Sequence, residues 1–341
     1  MRIIIMLFLM AACNLTVAEQ SRVPNGIQFD SLGPTVQQLT TKDGRKIHFI
    51  DDGRPGDIPV VFTGGLGTSV RAIRLLDFLR TMRKQLNLRF ISVERNGFGQ
   101  TAFDQTLTMS DYASDVEQVL DHLKIAKFSL FGISGGGPYT AKIASRNVQR
   151  LRSVHMAATS PLIGDASWCK NTKDALGYRM LIGQPMQFFG FPSASTMHQV
   201  EGFQDTAYDE AARAHVVGGQ LANPAALDHE MSLYCKESLD TTGVTSKLYV
   251  YRGEADLLLM HEKPNTWRHH YPKASVVVRN YPREGHDVQY RHLDQILLDM
   301  SNLSDDILIC TEGEQQQVTG SELDNYLDQG AHLGLCLWQA S

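Results

Sequence analysis

The strongest constraint on this chain is an alternation. Short apolar runs, each stopped by glycine or a polar turn, recur between segments with helical spacing. The runs "PVVFTGG" (59–65), "LRFISVERNGFG" (88–99), "KFSLFGIS" (127–134), "LRSVHMAA" (151–158), "KLYVYRG" (247–253) and "ASVVVRNY" (274–281) read as strands. Residues 68–85, 109–124 and 288–300 place apolar side chains on one helical face, with Ser110 as the expected N-cap of the second. Strands that are apolar throughout need cover on both faces. The pattern therefore predicts an α/β fold with a mostly parallel sheet between helical layers. Ahead of it, "VQQLTTKDGRKIHFIDDG" (36–53) has two extended runs around Asp43-Gly44, which predicts an antiparallel hairpin at the edge.

The rhythm breaks at about 160–245, a stretch rich in Met, Ala, His and Gly without clear strands. It reads as a helical lid inserted over the carboxyl edge of the sheet. Its Met180, Met186, Phe188, Phe189, Phe191 and Met197 suit either an apolar cavity lining or a lid core. Residues 301–341 lie beyond the last expected helix and form a small unit of their own. There "QQQV" reads as a strand, and Ser321 as the cap of a helix through "ELDNYLDQ" that ends at Gly330. The chain has 341 residues, 43% hydrophobic and 20% charged, with a net charge of -5. These values fit one sizeable globular body plus an appendage and offer no nucleic-acid surface.

Open parallel sheets bind ligands beyond the carboxyl ends of their strands. Here those ends carry Gly64-Gly65-Leu66-Gly67, Ser134, Glu254 and Asp256, and Glu284-Gly285-His286-Asp287. A serine, an acid and a histidine thus fall at three strand ends, in that chain order. "FGISGGGPYT" (131–140) sets Ser134 among glycines between a strand and a helix. A phosphate loop would need Gly-Lys-Ser or Gly-Lys-Thr, but Pro138 follows Gly137, and "GGLG" is too short for a dinucleotide fingerprint. No His-Glu-x-x-His or paired Cys spacing suggests a metal, and no cofactor is implied.

The elbow "GISGG" with ordered Asp256 and His286 resembles the α/β-hydrolase superfamily, over roughly residues 36–300. "TGGLG" and "ERNGFGQT" add to the resemblance. Thr63 stands where relatives often have His, and Arg95 reads as a residue bridging loops. The resemblance implies a triad of Ser134 as nucleophile, His286 as base and Asp256 as its orienter, with Glu254 the competing acid. It implies oxyanion donors at the backbone of Gly135 and of Gly65 or Leu66. Glycine is expected at 132 and 136 because side chains there would collide across the turn.

The implied reaction is acyl transfer from a small-molecule ester to water. An aminopeptidase of the proline iminopeptidase type is the alternative, with Glu201, Asp205, Asp209 and Glu210 of the lid available to grip an amine. A non-catalytic surface binding protein on the same fold is the alternative of another class. The sequence does not fix the oligomeric state.

"MRIIIMLFLMAA" reads as a secretory signal, cleaved after Ala18. "MAAC" offers a second reading as a lipoprotein signal ending at residue 12, with a lipidated Cys13 as the only membrane attachment. Either predicts an exported bacterial protein, periplasmic, outer-membrane-anchored or secreted. Outside the cytosol Cys169, Cys235, Cys310 and Cys336 are expected to form two disulfides. The preferred pairs are Cys169–Cys235 and Cys310–Cys336, since each closes a loop within one unit; four buried thiols are the alternative. The tail also resembles a short Cys-bounded module of exported bacterial proteins, from which Thr311 and Ala331-His332 depart.

Overall fold

The computed structural model describes residues 35–161, 219, 223–256, 259, 264–334 and 336. The two signal readings, Cys13, Cys169, the lid acids and the Met and Phe of the lid lie outside the described residues.

Eight strands form one sheet in the order β1-β2-β4-β3-β5-β6-β7-β8. They are β1 (Gln37–Thr40), β2 (Lys46–Asp52), β3 (Ile58–Thr63), β4 (Leu88–Val93), β5 (Phe128–Ile133), β6 (Leu151–Ala157), β7 (Lys247–Gly253) and β8 (Val276–Tyr281). β1 pairs antiparallel with β2, and β2 with β4; every other pair is parallel. The opening hairpin turns at Gly44, which has φ +86°. β4 and β5 are buried at every position, as runs without alternation require.

Each face carries a core. On one, α2 (Met109–His122) and α3 (Gly137–Arg146) bring Val116, Val119, Leu120, Ile143 and Ala144 against Val61, Ile91, Leu130 and Val154. On the other, a segment from Val70 to Leu79 and α7 (Leu293–Asn302) pack Ile73, Leu76, Ile296, Leu297 and Met300 against Val60, Phe90 and Phe131. Between these helices in chain order lie α4 (Pro224–Lys236), α5 (Pro264–His270) and the single turn α6 (Val288–Arg291).

Two helix expectations are corrected. Residues 68–85 are a 3₁₀ segment, Val70–Leu79, that passes into a short α1 (Arg80–Gln85). Its first turn is pinned by polar groups, Val70 N–H donating to buried Glu94 and Arg71 N–H to Ser69, and such pinning suits the tighter winding. α2 is capped by Thr108, not Ser110. Thr108 and Asp111 bond reciprocally in a capping box, which starts the helix earlier.

The tail builds a second sheet, β10-β9-β11, from β9 (Ile307–Thr311), β10 (Glu314–Val318) and β11 (His332–Leu333). Glu312 and Gly313, at φ +51° and +81°, make the two-residue hairpin turn. The helix of the tail, α8, spans only Leu323–Asp328. Ser321 does not cap it; its hydroxyl pairs with that of Thr319, which also bonds the Glu322 carboxylate. Gly330 follows at φ +90°. Ile309, Val318 and Ala331 are its small core, and a disulfide joins Cys310 to Cys336. Cys235 is disulfide-bonded too. No Lys or Arg occurs after Arg291. The tail is fastened to the body by Arg279 of β8, which pairs with Asp299 of α7 and donates to the carbonyls of Asp305 and Asp306.

Candidate active site

β5 ends at Ile133 and α3 begins at Gly137, so Ser134 sits on the turn between them. Its φ is +49°, in the left-handed region that an L-residue adopts only at a cost. Gly132 and Gly136 flank it. A Cβ on Gly132 would lie 2.2 Å from Thr140 Oγ1 of α3, a collision across the turn, whereas one on Gly136 would lie 2.2 Å from Thr63 O of β3. Thr63 turns its hydroxyl to the elbow, donating to Gly136 O at 3.1 Å and pairing with Thr140 Oγ1.

Asp256 follows β7 and His286 follows β8, and two backbone bonds brace their loops: Glu254 N–H to Tyr281 O at 3.0 Å and Ala255 N–H to Glu284 O at 2.8 Å. A Glu284–His292 bridge of 2.8 Å, with His292 stacked on Tyr281, holds the histidine loop from below. The three side chains meet. His286 Nε2 lies 2.9 Å from Ser134 Oγ, and His286 Nδ1 lies 2.8 Å from Asp256 Oδ2. Asp256 is 4% exposed, so its carboxylate faces the imidazole with little competition from solvent. The competing acid points elsewhere: exposed Glu254 bonds Asn280; Asp287, beside His286 in the chain, pairs with Arg291.

Gly65, Leu66 and Gly135 line the other side of Ser134. An added Cβ on Gly65 would lie 3.6 Å from Ser134 Cβ, and one on Gly135 only 2.8 Å from Leu66 N. Behind them sits a buried polar group that the sequence did not disclose beyond Arg95. Arg95 Nε lies 3.3 Å from the Glu230 carboxylate of α4, and its guanidinium lies over the Tyr139 ring. Burial opposes the charge of Arg95, but Glu230 and the surrounding tyrosines together raise its pKa and keep it protonated. Glu230 Oε1 accepts from Gly67 N–H at 2.9 Å, and the Tyr234 hydroxyl lies within hydrogen-bond reach of both Glu230 Oε1, at 2.9 Å, and Gly135 O, at 2.7 Å. Nearby, burial pushes the Glu94 carboxyl up to about 8. A sequence signal existed for Glu230: an acid and a tyrosine four residues apart share one helix face with buried Ala226, Leu227 and Leu233.

No family model matches the chain. It is 26% identical over 272 residues to the dihydrolipoyllysine-residue acetyltransferase component of an acetoin cleaving system from Pseudomonas putida, covering 77% of this chain and 68% of that protein. Among solved structures it is similar to a carboxylesterase from Nitrososphaera gargenis, with TM-score 0.58, 17% identity and coverage of 79% of this chain and 100% of that one. A bromoperoxidase from Bacillus anthracis gives 0.59, 16%, 78% and 98%. The enol-lactonase from Burkholderia xenovorans LB400 gives 0.56, 18%, 77% and 99%. With the strand order above, these likenesses establish the α/β-hydrolase fold.

Proposed function

We propose that the chain is a serine hydrolase acting on carboxylic esters. The observation that carries this reading is the hydrogen-bonded row Ser134–His286–Asp256, at 2.9 and 2.8 Å, at three strand ends of an α/β-hydrolase sheet. A serine hydroxyl is a weak nucleophile and needs a base within reach. In the proposed reaction His286 Nε2 takes the Ser134 proton as Oγ attacks the ester carbon. Asp256 holds the Nδ1–H tautomer and balances the imidazolium. The tetrahedral oxyanion is held by backbone N–H groups of Gly135 and of Gly65 or Leu66. His286 then protonates the leaving alcohol, leaving acyl-Ser134. A water, deprotonated by His286, attacks that ester; the acid is released and the proton returns to Ser134.

The carboxylesterase and enol-lactonase among the similar structures support an ester or lactone substrate. The peptidase reading rested on Glu201, Asp205, Asp209 and Glu210, outside the described residues, while Glu230 is engaged by Arg95 and Gly67. The Cys310–Cys336 bond and the bonded Cys235 support export from the reducing cytosol.

A fluorophosphonate probe tests the reading directly. It is expected to label Ser134 alone, and labelled protein should lose hydrolysis of p-nitrophenyl acetate. Faster turnover of proline p-nitroanilide than of the ester would move the assignment to a peptidase. No labelling and no turnover of either would overturn it.

A further inference from the structure

Three peptide units beside the nucleophile have their carbonyls held from behind. Arg95 Nη1 donates to Gly64 O at 3.2 Å; Nη2 donates to Gly65 O and, at 2.8 Å, to Thr68 Oγ1. Thr159, just beyond β6, donates its hydroxyl to Ser134 O at 2.7 Å. In a trans peptide the C=O and N–H of one unit point in opposite directions, and the described chain has no cis bond. Gly64 O shares its unit with the N–H of Gly65, Gly65 O with that of Leu66, and Ser134 O with that of Gly135. Holding these oxygens therefore aims the opposite N–H groups.

We propose that Arg95 and Thr159 are positioning residues that set the peptide planes of the oxyanion donors, and that Glu230 of α4 in turn sets Arg95. The inference rests on the serine-hydrolase reading above and deepens it. A guanidinium on a carbonyl oxygen also polarises the unit and strengthens its N–H as a donor. The arrangement matches the chemistry: donors that are already aimed need no reorganisation when charge develops on the substrate oxygen. Arg95, Thr159, Glu230 and Tyr234 are all buried, so water does not compete for these bonds. The link to α4 makes a helix that precedes β7 part of the oxyanion architecture.

The test compares Thr159→Val and Arg95→Lys with wild type. Thr159→Val removes one hydroxyl, and Ser134 O keeps the Gly137 N–H as a partner, so folding should survive. With p-nitrophenyl acetate, kcat is expected to fall about tenfold to a hundredfold while KM stays within about threefold. Inhibition by phenylboronic acid, which forms a tetrahedral adduct on a nucleophilic serine, should weaken by the same factor. Inhibition by benzoate, which stays planar, should not change. Thr159→Ser should recover most of what Thr159→Val loses. Wild-type kcat in both variants, or a loss confined to KM with unchanged boronate inhibition, overturns the proposal. If Arg95→Lys does not fold, Thr159→Val decides alone. A wild-type protein inert to ester and fluorophosphonate would instead remove the nucleophile assignment, and the positioning role with it.

Discussion

The large sheet and the small one are held by different means. The eight-stranded body buries side chains on both faces, and its site is assembled from loops at several strand ends. The three-stranded tail has a core of Ile309, Val318 and Ala331 and relies on the Cys310–Cys336 bond and on Arg279 beneath it. A core of that size is too small to hold a fold alone, which is where a staple matters most. The contrast teaches a separation: the proposed reaction lies in the well-packed body, whose own bonded Cys235 is on α4, and the small core of the tail leans on its disulfide.

That separation can be broken by experiment. The largest expected effect is on the body: Ser134→Ala should lower ester hydrolysis at least about a thousandfold with an unchanged melting temperature. Activity equal to wild type would show that the site lies elsewhere. Asp256→Asn should follow with a loss of about a hundredfold or more, because the imidazole is left in the wrong tautomer. Glu254→Gln, on the same loop, should stay within about twofold, and a reversed order would exchange the two acids. Next comes the tail. Cys310→Ser is expected to cost the small sheet roughly 3 kcal/mol, given the loop it closes, read as faster amide exchange in β9 and β10. Ester turnover should remain within about twofold; its collapse would mean that the two sheets are one functional unit.

A further expected effect concerns pH. Glu94 is neutral in the fold up to about 8, against an ordinary value of 4.5. The unfolded chain therefore gives up a proton between these values that the folded chain keeps. Stability from this group is complete below about 4.5 and is lost as pH rises through about 8. Glu94→Gln should flatten the decline of melting temperature between about pH 5 and pH 8. An identical slope in both proteins would place the titration elsewhere.

Much of this is legible in the sequence. The fold follows from apolar runs at regular intervals, and Ser134, Asp256 and His286 stand out because turn glycines and strand ends mark them. Thr159 was invisible because a threonine after a strand is ordinary; its meaning comes only from the carbonyl it touches. Glu230 lay in a segment whose sequence lacked rhythm. Its partner Arg95 is more than a hundred residues away in the chain, and no local pattern couples them. β11 escaped because two residues carry no periodicity.

The Cys310–Cys336 bond lies wholly within the stretch that follows the last basic residue, Arg291. Trypsin cuts after lysine and arginine, so digestion of the denatured chain leaves the stretch from His292 to Ser341 uncut. Both sulfurs travel together, whether or not they are joined. The redox history of a preparation can therefore be weighed on that single fragment, as the presence or absence of a pair of hydrogen atoms.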